Sequence, residues 1–464
     1  MNKSANDRMN SISEQGLCSG CGICQSIAGP NKIKVVKSMN GFERPIIIDD
    51  LDDATVDRIF EICPGTRIEG LPENKITHET KTDNVWGSWL RIVRAWAGNP
   101  KIRFEGSTGG VLTALAQFLL NDQRVDFILH VKASNKEPTF GKRYLSFTEA
   151  DVLEGVGSRY GPAAPLIDID EVLARGRPFA FIGKPCDIAA LRNLARHDER
   201  VDELVKYWLS PVCGGFMSPS STDNFLSRSG VIRNNLISLR YRGQGCPGPM
   251  QVKTFDEEKM LHYLDYWGDD ESTWNLPFRC KICPDGIGEA ADIAASDTWI
   301  GGSPTRNGSK TDLGTNAVVV RTASGIELLE AAAKSGAINI EYDITPDDMS
   351  LYQPHQMHKK YAAYDRHQGM GDEGRIVPKT RRLRLEELAN EMQKSTRKIQ
   401  RDGTSSRVRS GKATEPKPIA SKLQRNSDNK ETLHHKSEEA EQHKTNPNCK
   451  TEGQTWTCAS GCTI

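Results

Sequence analysis

The chain has 464 residues, with 61 Lys+Arg against 61 Asp+Glu and 12 cysteines. That length holds about two to four domains with cores of their own. The balanced charge argues against a nucleic-acid binder, and no apolar run is long enough for a helical membrane span.

Charge is nevertheless uneven: from position 376 onward 18 basic residues stand against 11 acidic ones, leaving that end at +7 and the remainder at −7. The opening residues Met1–Arg8 lack the apolar stretch of a signal peptide. Cysteines in a chain without an export signal are expected as reduced thiols in the cytoplasm, available for metal or redox work.

In chain order, the first feature is Cys18-Ser19-Gly20-Cys21-Gly22-Ile23-Cys24, followed much later by Cys63-Pro64. Three cysteines at three-residue spacing with a remote Cys-Pro is how ferredoxin-type chains hold a 4Fe–4S cluster. Small residues between the thiolates let backbone N–H groups approach the sulfur. Zinc is the rival occupant, although zinc sites more often pair two Cys-x2-Cys knuckles. Residues 1–85 are expected as this unit, a ferredoxin-like iron–sulfur domain with a strand over Lys34–Lys37 and a helix over Asp53–Ile62. The polar stretch Ile68–Trp86 reads as a linker, and Leu90–Ala97 as a strand.

Gly106-Ser107-Thr108-Gly109-Gly110 then opens directly onto a helical pattern from Val111 to Leu120. A glycine-rich turn at a helix start is an anion site, because free N–H groups and the positive dipole end point the same way. An ordinary helix cap accounts for the same residues equally well.

Val125–Ala133, Pro178–Gly183 and Lys206–Val212 read as buried strands, with helices from Ile188 and over Ser220–Ser229. This alternation predicts an α/β architecture. Two of the strands run into cysteines, Lys184-Pro185-Cys186 and Pro211-Val212-Cys213, where α/β sheets place their chemistry. With the knuckle Cys280-Lys281-Ile282-Cys283 these make a second candidate set of four thiolates, and Cys246 is left as a spare. No histidine or carboxylate stands out as a catalytic acid or base; His130, His197 and His262 fall in or near regular elements, where structural roles are expected.

Taken together, the cysteine stretches, Gly109–Thr113, Gly157-Ser158-Arg159-Tyr160, Tyr241-Arg242-Gly243, Arg279–Cys283, Ala291-Asp292-Ile293 and Asp297-Thr298-Trp299 resemble the beta subunits of coenzyme F420 hydrogenases and dehydrogenases. They also resemble the related ferredoxin-dependent 7-hydroxymethyl chlorophyll a and divinyl chlorophyllide reductases. The resemblance spans about residues 15–345 and implies an iron–sulfur flavoprotein. It implies an FAD site at Gly106, Ser107, Thr108, Gly109, Gly110 and Val111, with Arg159, Tyr160, Gly314, Thr315 and Asn316. It further implies one 4Fe–4S cluster on Cys186, Cys213, Cys280 and Cys283 beside a second on Cys18, Cys21, Cys24 and Cys63. Where Cys246 stands, the family usually carries Trp.

The expected domains are therefore 1–85, an α/β flavin-binding part over 86–200, a part over 201–378 holding the second cluster, and a basic tail over 379–464. Thr380–Gln400 reads as one amphipathic helix, and after Gly403 the composition is that of disorder, ending with Cys449, Cys458 and Cys462. The expected function is an FAD-dependent oxidoreductase that takes electrons from a ferredoxin-like donor and delivers them in pairs to a small organic substrate. An alternative is a coenzyme F420-oxidising or -reducing subunit of a larger complex, with partner subunits or as a homo-oligomer. An alternative of another class is a zinc-stabilised binding or scaffold module.

Overall fold

The computed structural model describes residues 3–38, 40–268 and 274–418, and beyond them the backbone of two short strands, Lys450–Glu452 and Thr455–Thr457. The described residues through 418 fall in one compact unit; the two short strands fall in another and pair antiparallel.

An eight-stranded mixed sheet organises the larger unit, in the spatial order Ile338–Asp343, Arg91–Ala97, Asn316–Val320, Ile293–Asp297, Val205–Pro211, Phe179–Ile182, Phe127–Ala133 and Gly141–Ser146. The four strands from Ile293–Asp297 to Phe127–Ala133 run parallel, and antiparallel strands extend both sides. Every residue of Asn316–Val320 is buried, as befits a strand covered on both faces. Alternation divides its side chains. Val318 and Val320 join Val111, Leu115, Leu119, Ile128 and Leu209 in one core, while Ala317 and Val319 join Trp86, Ile92 and Leu388 in another.

The α/β expectation is met, and the expected boundary at 200 falls within this sheet, which takes strands from both sides of it. A smaller antiparallel sheet, Leu236–Arg240, Met250–Thr254 and Glu258–Leu261, packs through Leu239, Met250 and Val252 against Tyr266 and Trp267.

The N-terminal residues fold as a helix Ala5–Glu14 capped by Ser4, a short helix Ile23–Ala28, a hairpin of Ile33–Lys37 with Glu43–Ile47, and the expected helix Asp53–Ile62 capped by Asp52. They are not an isolated body. Met9, Ile12, Leu17 and Ile59 share one core with Phe278, Ile282, Met370 and Val408.

Two expectations are corrected. The stretch Ile68–Trp86 is not a free linker: Ile68 sits in a strand, Arg67–Glu69, paired with Lys379–Arg381, and Trp86 is fully buried with its indole N–H on Ser350. Leu71 and Val85 are buried with them, and Glu69 is buried in ion pairs with Arg67 and Arg382. The tail, expected from 379, is folded through residue 418. Thr380–Gln400 is not one helix but a strand and two helices, Leu385–Glu391 and Lys394–Arg409. Leu388 and Val408 supply enough apolar surface to dock them. Residues 419–449, 453–454 and 458–464, including Cys449, Cys458 and Cys462, lie outside the described residues. No helix among the described residues is long and apolar enough to cross a membrane.

Candidate functional site

The turn carrying Cys18, Cys21 and Cys24 leaves the helix Ala5–Glu14 through Gly16 and closes on the helix Ile23–Ala28. Gly22 is required there twice. Its φ is +87°, and a Cβ would lie 2.8 Å from the Ile167 backbone, against which the turn docks by the bond from Leu166 N–H to the Cys21 carbonyl. Cys63 ends the helix Asp53–Ile62, and a Cβ on Gly65, two residues later, would lie 2.6 Å from the Leu17 carbonyl oxygen. The fold thus presses the Cys63 turn against the residue preceding Cys18. All four thiols are free. They lie close enough to act on one another: burial first, then Cys63, Asp187 and Cys18, push the Cys21 thiol well up, and burial with Cys18 pushes Cys63 up to about 11.

The second set assembles at the carboxyl ends of parallel strands. Cys186 begins the helix Pro185–Ala195 after the strand Phe179–Ile182, and Cys213 follows Val205–Pro211. Cys280 lies in the short helix Phe278–Lys281, with Cys283 two residues beyond its end. These thiols also raise one another. After burial, Cys280 and Cys283 act on Cys213, which stands at about 11, and Cys213 acts on Cys186. Sequence alone left this convergence open; the sheet supplies it.

The two sets meet. One cavity is lined by Cys18 and Ser19 from the first and by Cys186, Cys213, Cys280 and Cys283 from the second. Four cations, Arg44, Lys184, Arg279 and Lys359, line it against one carboxylate, Asp285. Lys184 is held by Asp187 at 2.6 Å, and Arg44 by Glu415, which accepts from both Nε and Nη2 at 2.6 and 2.8 Å. Backbone N–H groups of Gly20, Gly65 and Gly215 donate to the sulfurs of Cys18, Cys63 and Cys213 at 3.4, 3.3 and 3.4 Å. Ser19 Oγ and Arg279 Nε and Nη1 are buried without hydrogen-bond partners. Among the described residues, no three His, Cys, Asp or Glu side chains converge tightly enough for a single metal ion. Buried thiols, N–H donors to sulfur, an orphaned hydroxyl and an excess of cations fit larger, thiolate-ligated, anionic groups.

Of the residues that the resemblance implies for FAD, the turn 106–111 and the loop 314–316 are brought together. Thr108 Oγ1 donates to the Thr315 carbonyl at 2.9 Å, and a Cβ on Gly314 would lie 2.6 Å from the Thr108 carbonyl oxygen. The turn is, however, already engaged. Val111 N–H is taken by Asn316 Oδ1, and Ser107 Oγ accepts from Ser158 N–H. Tyr160 stands at the junction, its hydroxyl accepting from Arg242. Arg159 does not face it: the guanidinium donates to the carbonyls of Leu239, Pro138 and Phe140, tying the strand Leu236–Arg240 to the stretch before the strand Gly141–Ser146. Arg242 is the residue that sequence reasoning undervalued. It donates to the Ser107 carbonyl, forms a two-bond pair with Asp297 and keeps a buried Nε without a partner. Cys246 is buried beside Thr108, its thiol pushed up to about 12 by burial and Asp297.

Sequence reasoning also passed over Arg44 and Lys359. Arg44 lies in a hairpin strand and Lys359 in the long helix Pro354–Asp372, and neither neighbours a motif. The signals available for cations at the cavity were Arg279, next to Cys280, and Lys184, two residues before Cys186.

Comparison with known proteins gives the family and the fold. Residues 92–169 match the family model for the N-terminal part of the coenzyme F420 hydrogenase/dehydrogenase beta subunit, and residues 176–344 match the model for its C-terminal part. The chain is 23% identical over 352 residues to a coenzyme F420-dependent sulfite reductase of Methanocaldococcus jannaschii, covering 72% of this chain and 49% of that protein. It is 24% identical over 248 residues to the beta subunit of F420-dependent formate dehydrogenase 1 of Methanococcus maripaludis, covering 52% and 59%. It is 21% identical over 257 residues to the beta subunit of a coenzyme F420 hydrogenase of Methanothermobacter thermautotrophicus, covering 54% and 84%. The chain thus spans only about half the length of the first two relatives. A chain of the F420-reducing NiFe hydrogenase complex from Methanosarcina barkeri superposes with a TM-score of 0.50 at 18% identity, over 63% of this chain and 97% of that one, which shows a shared fold.

Proposed function

The chain belongs to the coenzyme F420 hydrogenase/dehydrogenase beta subunit family, and from that premise we propose that it is an oxidoreductase module that exchanges electrons with coenzyme F420 inside a larger complex. The observation that carries the proposal is one cation-lined cavity shared by Cys18 of the first cysteine set and all four cysteines of the second. Cys18, Cys21, Cys24 and Cys63 would hold one 4Fe–4S cluster; Cys186, Cys213, Cys280 and Cys283 would hold another. FAD would lie between the turn 106–111 and the loop 314–316, with Arg242 as its counter-charge. When bound, the flavin supplies hydride exchange and the clusters carry electrons singly.

The chain's own residues do the rest. The glycine N–H groups and the cavity cations stabilise negative charge on the thiolates, and burial keeps water from them. Asp297 and Tyr160 fix the Arg242 guanidinium, which in turn fixes the Ser107 turn. The N-terminal cysteine set, placed outside the sheet, gives the chain a one-electron port of its own. That favours a second reading in which a ferredoxin-like donor, rather than F420, supplies the electrons.

Anaerobic purification with iron, acid-labile sulfide and flavin counts tests the cofactor content. About eight irons and one FAD per chain support the proposal, and about four irons remove one of the two sets. Zinc without flavin overturns it.

A further inference from the structure

Between the two cysteine sets lies one side chain that belongs to neither. Arg279 precedes Cys280 in sequence, yet its Nη2 donates at 2.8 Å to the carbonyl oxygen of Pro64, the residue after Cys63. It is 3% exposed, and its Nε and Nη1 have no hydrogen-bond partner. The other cavity cations differ. Arg44 is neutralised by Glu415 and Lys184 by Asp187, whereas Lys359 reaches the Gly214 carbonyl beside Cys213. Arg279 lines the cavity with Cys18 of the first set and with Cys186, Cys213, Cys280 and Cys283 of the second, while its bond to Pro64 reaches the Cys63 turn.

We propose that Arg279 is the shared positioning residue of the two cysteine sites: it ties the Cys63–Pro64 turn to the Cys280 helix and sets one buried positive charge against both. This rests on reading both sets as cluster ligands. A desolvated guanidinium with free N–H donors is stabilised only by nearby negative charge, and two thiolate-ligated groups on either side supply it. The same charge favours an added electron on either side, so it raises both potentials. Arg279 takes no electron or proton itself; it acts through the groups it faces.

The test compares Arg279→Gln and Arg279→Lys with the unaltered full chain, purified anaerobically, by iron count and by potentiometric titration followed by electron paramagnetic resonance. The unaltered chain is measured first, because fewer than about eight irons there refute the two-cluster reading itself and not the role of Arg279. With iron retained, Arg279→Gln is expected to shift both midpoint potentials to lower values, and Arg279→Lys to recover most of the shift. Unchanged potentials, or a shift of one site alone, overturn the proposal. If Arg279→Gln loses iron, the Lys variant decides: full iron in Arg279→Lys supports a requirement for charge, and equal loss in both overturns it.

Discussion

The side-chain oxygen of Asn316 accepts the N–H of Val111 at 3.2 Å, and its amide nitrogen donates to the Ser296 carbonyl at 3.0 Å. One residue therefore caps the helix after the glycine turn and ties it to the strand that ends at Asp297. Asn316→Ala leaves two buried backbone groups unpaired at a cost of about 1–3 kcal/mol each. The expected result is a lowered thermal midpoint with an unchanged iron count, since Asn316 is remote in sequence and role from the cysteines. An unchanged midpoint would contradict the capping role.

The cysteine assignments separate by substitution. Cys63→Ser is expected to halve the iron while leaving a signal from the second set, and Cys283→Ser is expected to do the converse. Iron and sulfide per chain, with spectra of the reduced proteins, distinguish the two. Loss of all iron in both variants would mean that the sets do not assemble separately.

What the sequence revealed here is local. The Cys18–Cys24 triple, the helix Asp53–Ile62 and the strands leading to Cys186 and Cys213 were legible because spacing and periodicity are properties of neighbours. The convergence of Cys280 and Cys283 on those strand ends was a candidate and was implied by the family resemblance, but spacing alone left it open, because a sheet brings together residues nearly a hundred positions apart. The folded segment 379–418 was misread for a related reason. It is mostly polar, and its order comes from a few anchors, Leu388, Val408 and the Glu415–Arg44 pair, whose partners lie elsewhere in the chain.

That segment gives a third prediction. A chain ending at 418 is expected to keep its thermal midpoint and iron. One ending at 378 loses the strand paired with Arg67–Glu69 and the carboxylate on Arg44, and is expected to be destabilised and iron-poor. Equal behaviour of the two truncations would show that 379–418 contributes nothing to the fold.

Two buried histidines make stability depend on pH. Burial pushes both His130 and His367 down to about 4, so each is neutral in the fold. The unfolded chain protonates them near its ordinary value of about 6.5. Their contribution is therefore present above about 6.5 and is lost as pH falls toward 4, by up to about 1.4 kcal/mol per pH unit for each. Urea midpoints at about pH 7.5 and 5 check this. His367→Asn is expected to reduce the drop seen in the unaltered chain, whereas an identical drop would contradict neutral burial of His367.

The most direct test of the account is anaerobic titration of the iron-loaded full chain with reduced coenzyme F420, following F420 oxidation and the signals of the reduced iron–sulfur centres together. The account predicts that oxidised F420 accumulates in step with those signals, two electrons appearing for each F420 consumed. Fully loaded protein that leaves reduced F420 untouched, yet is reduced by ferredoxin, would contradict F420 as the partner and leave the ferredoxin-fed reading in its place.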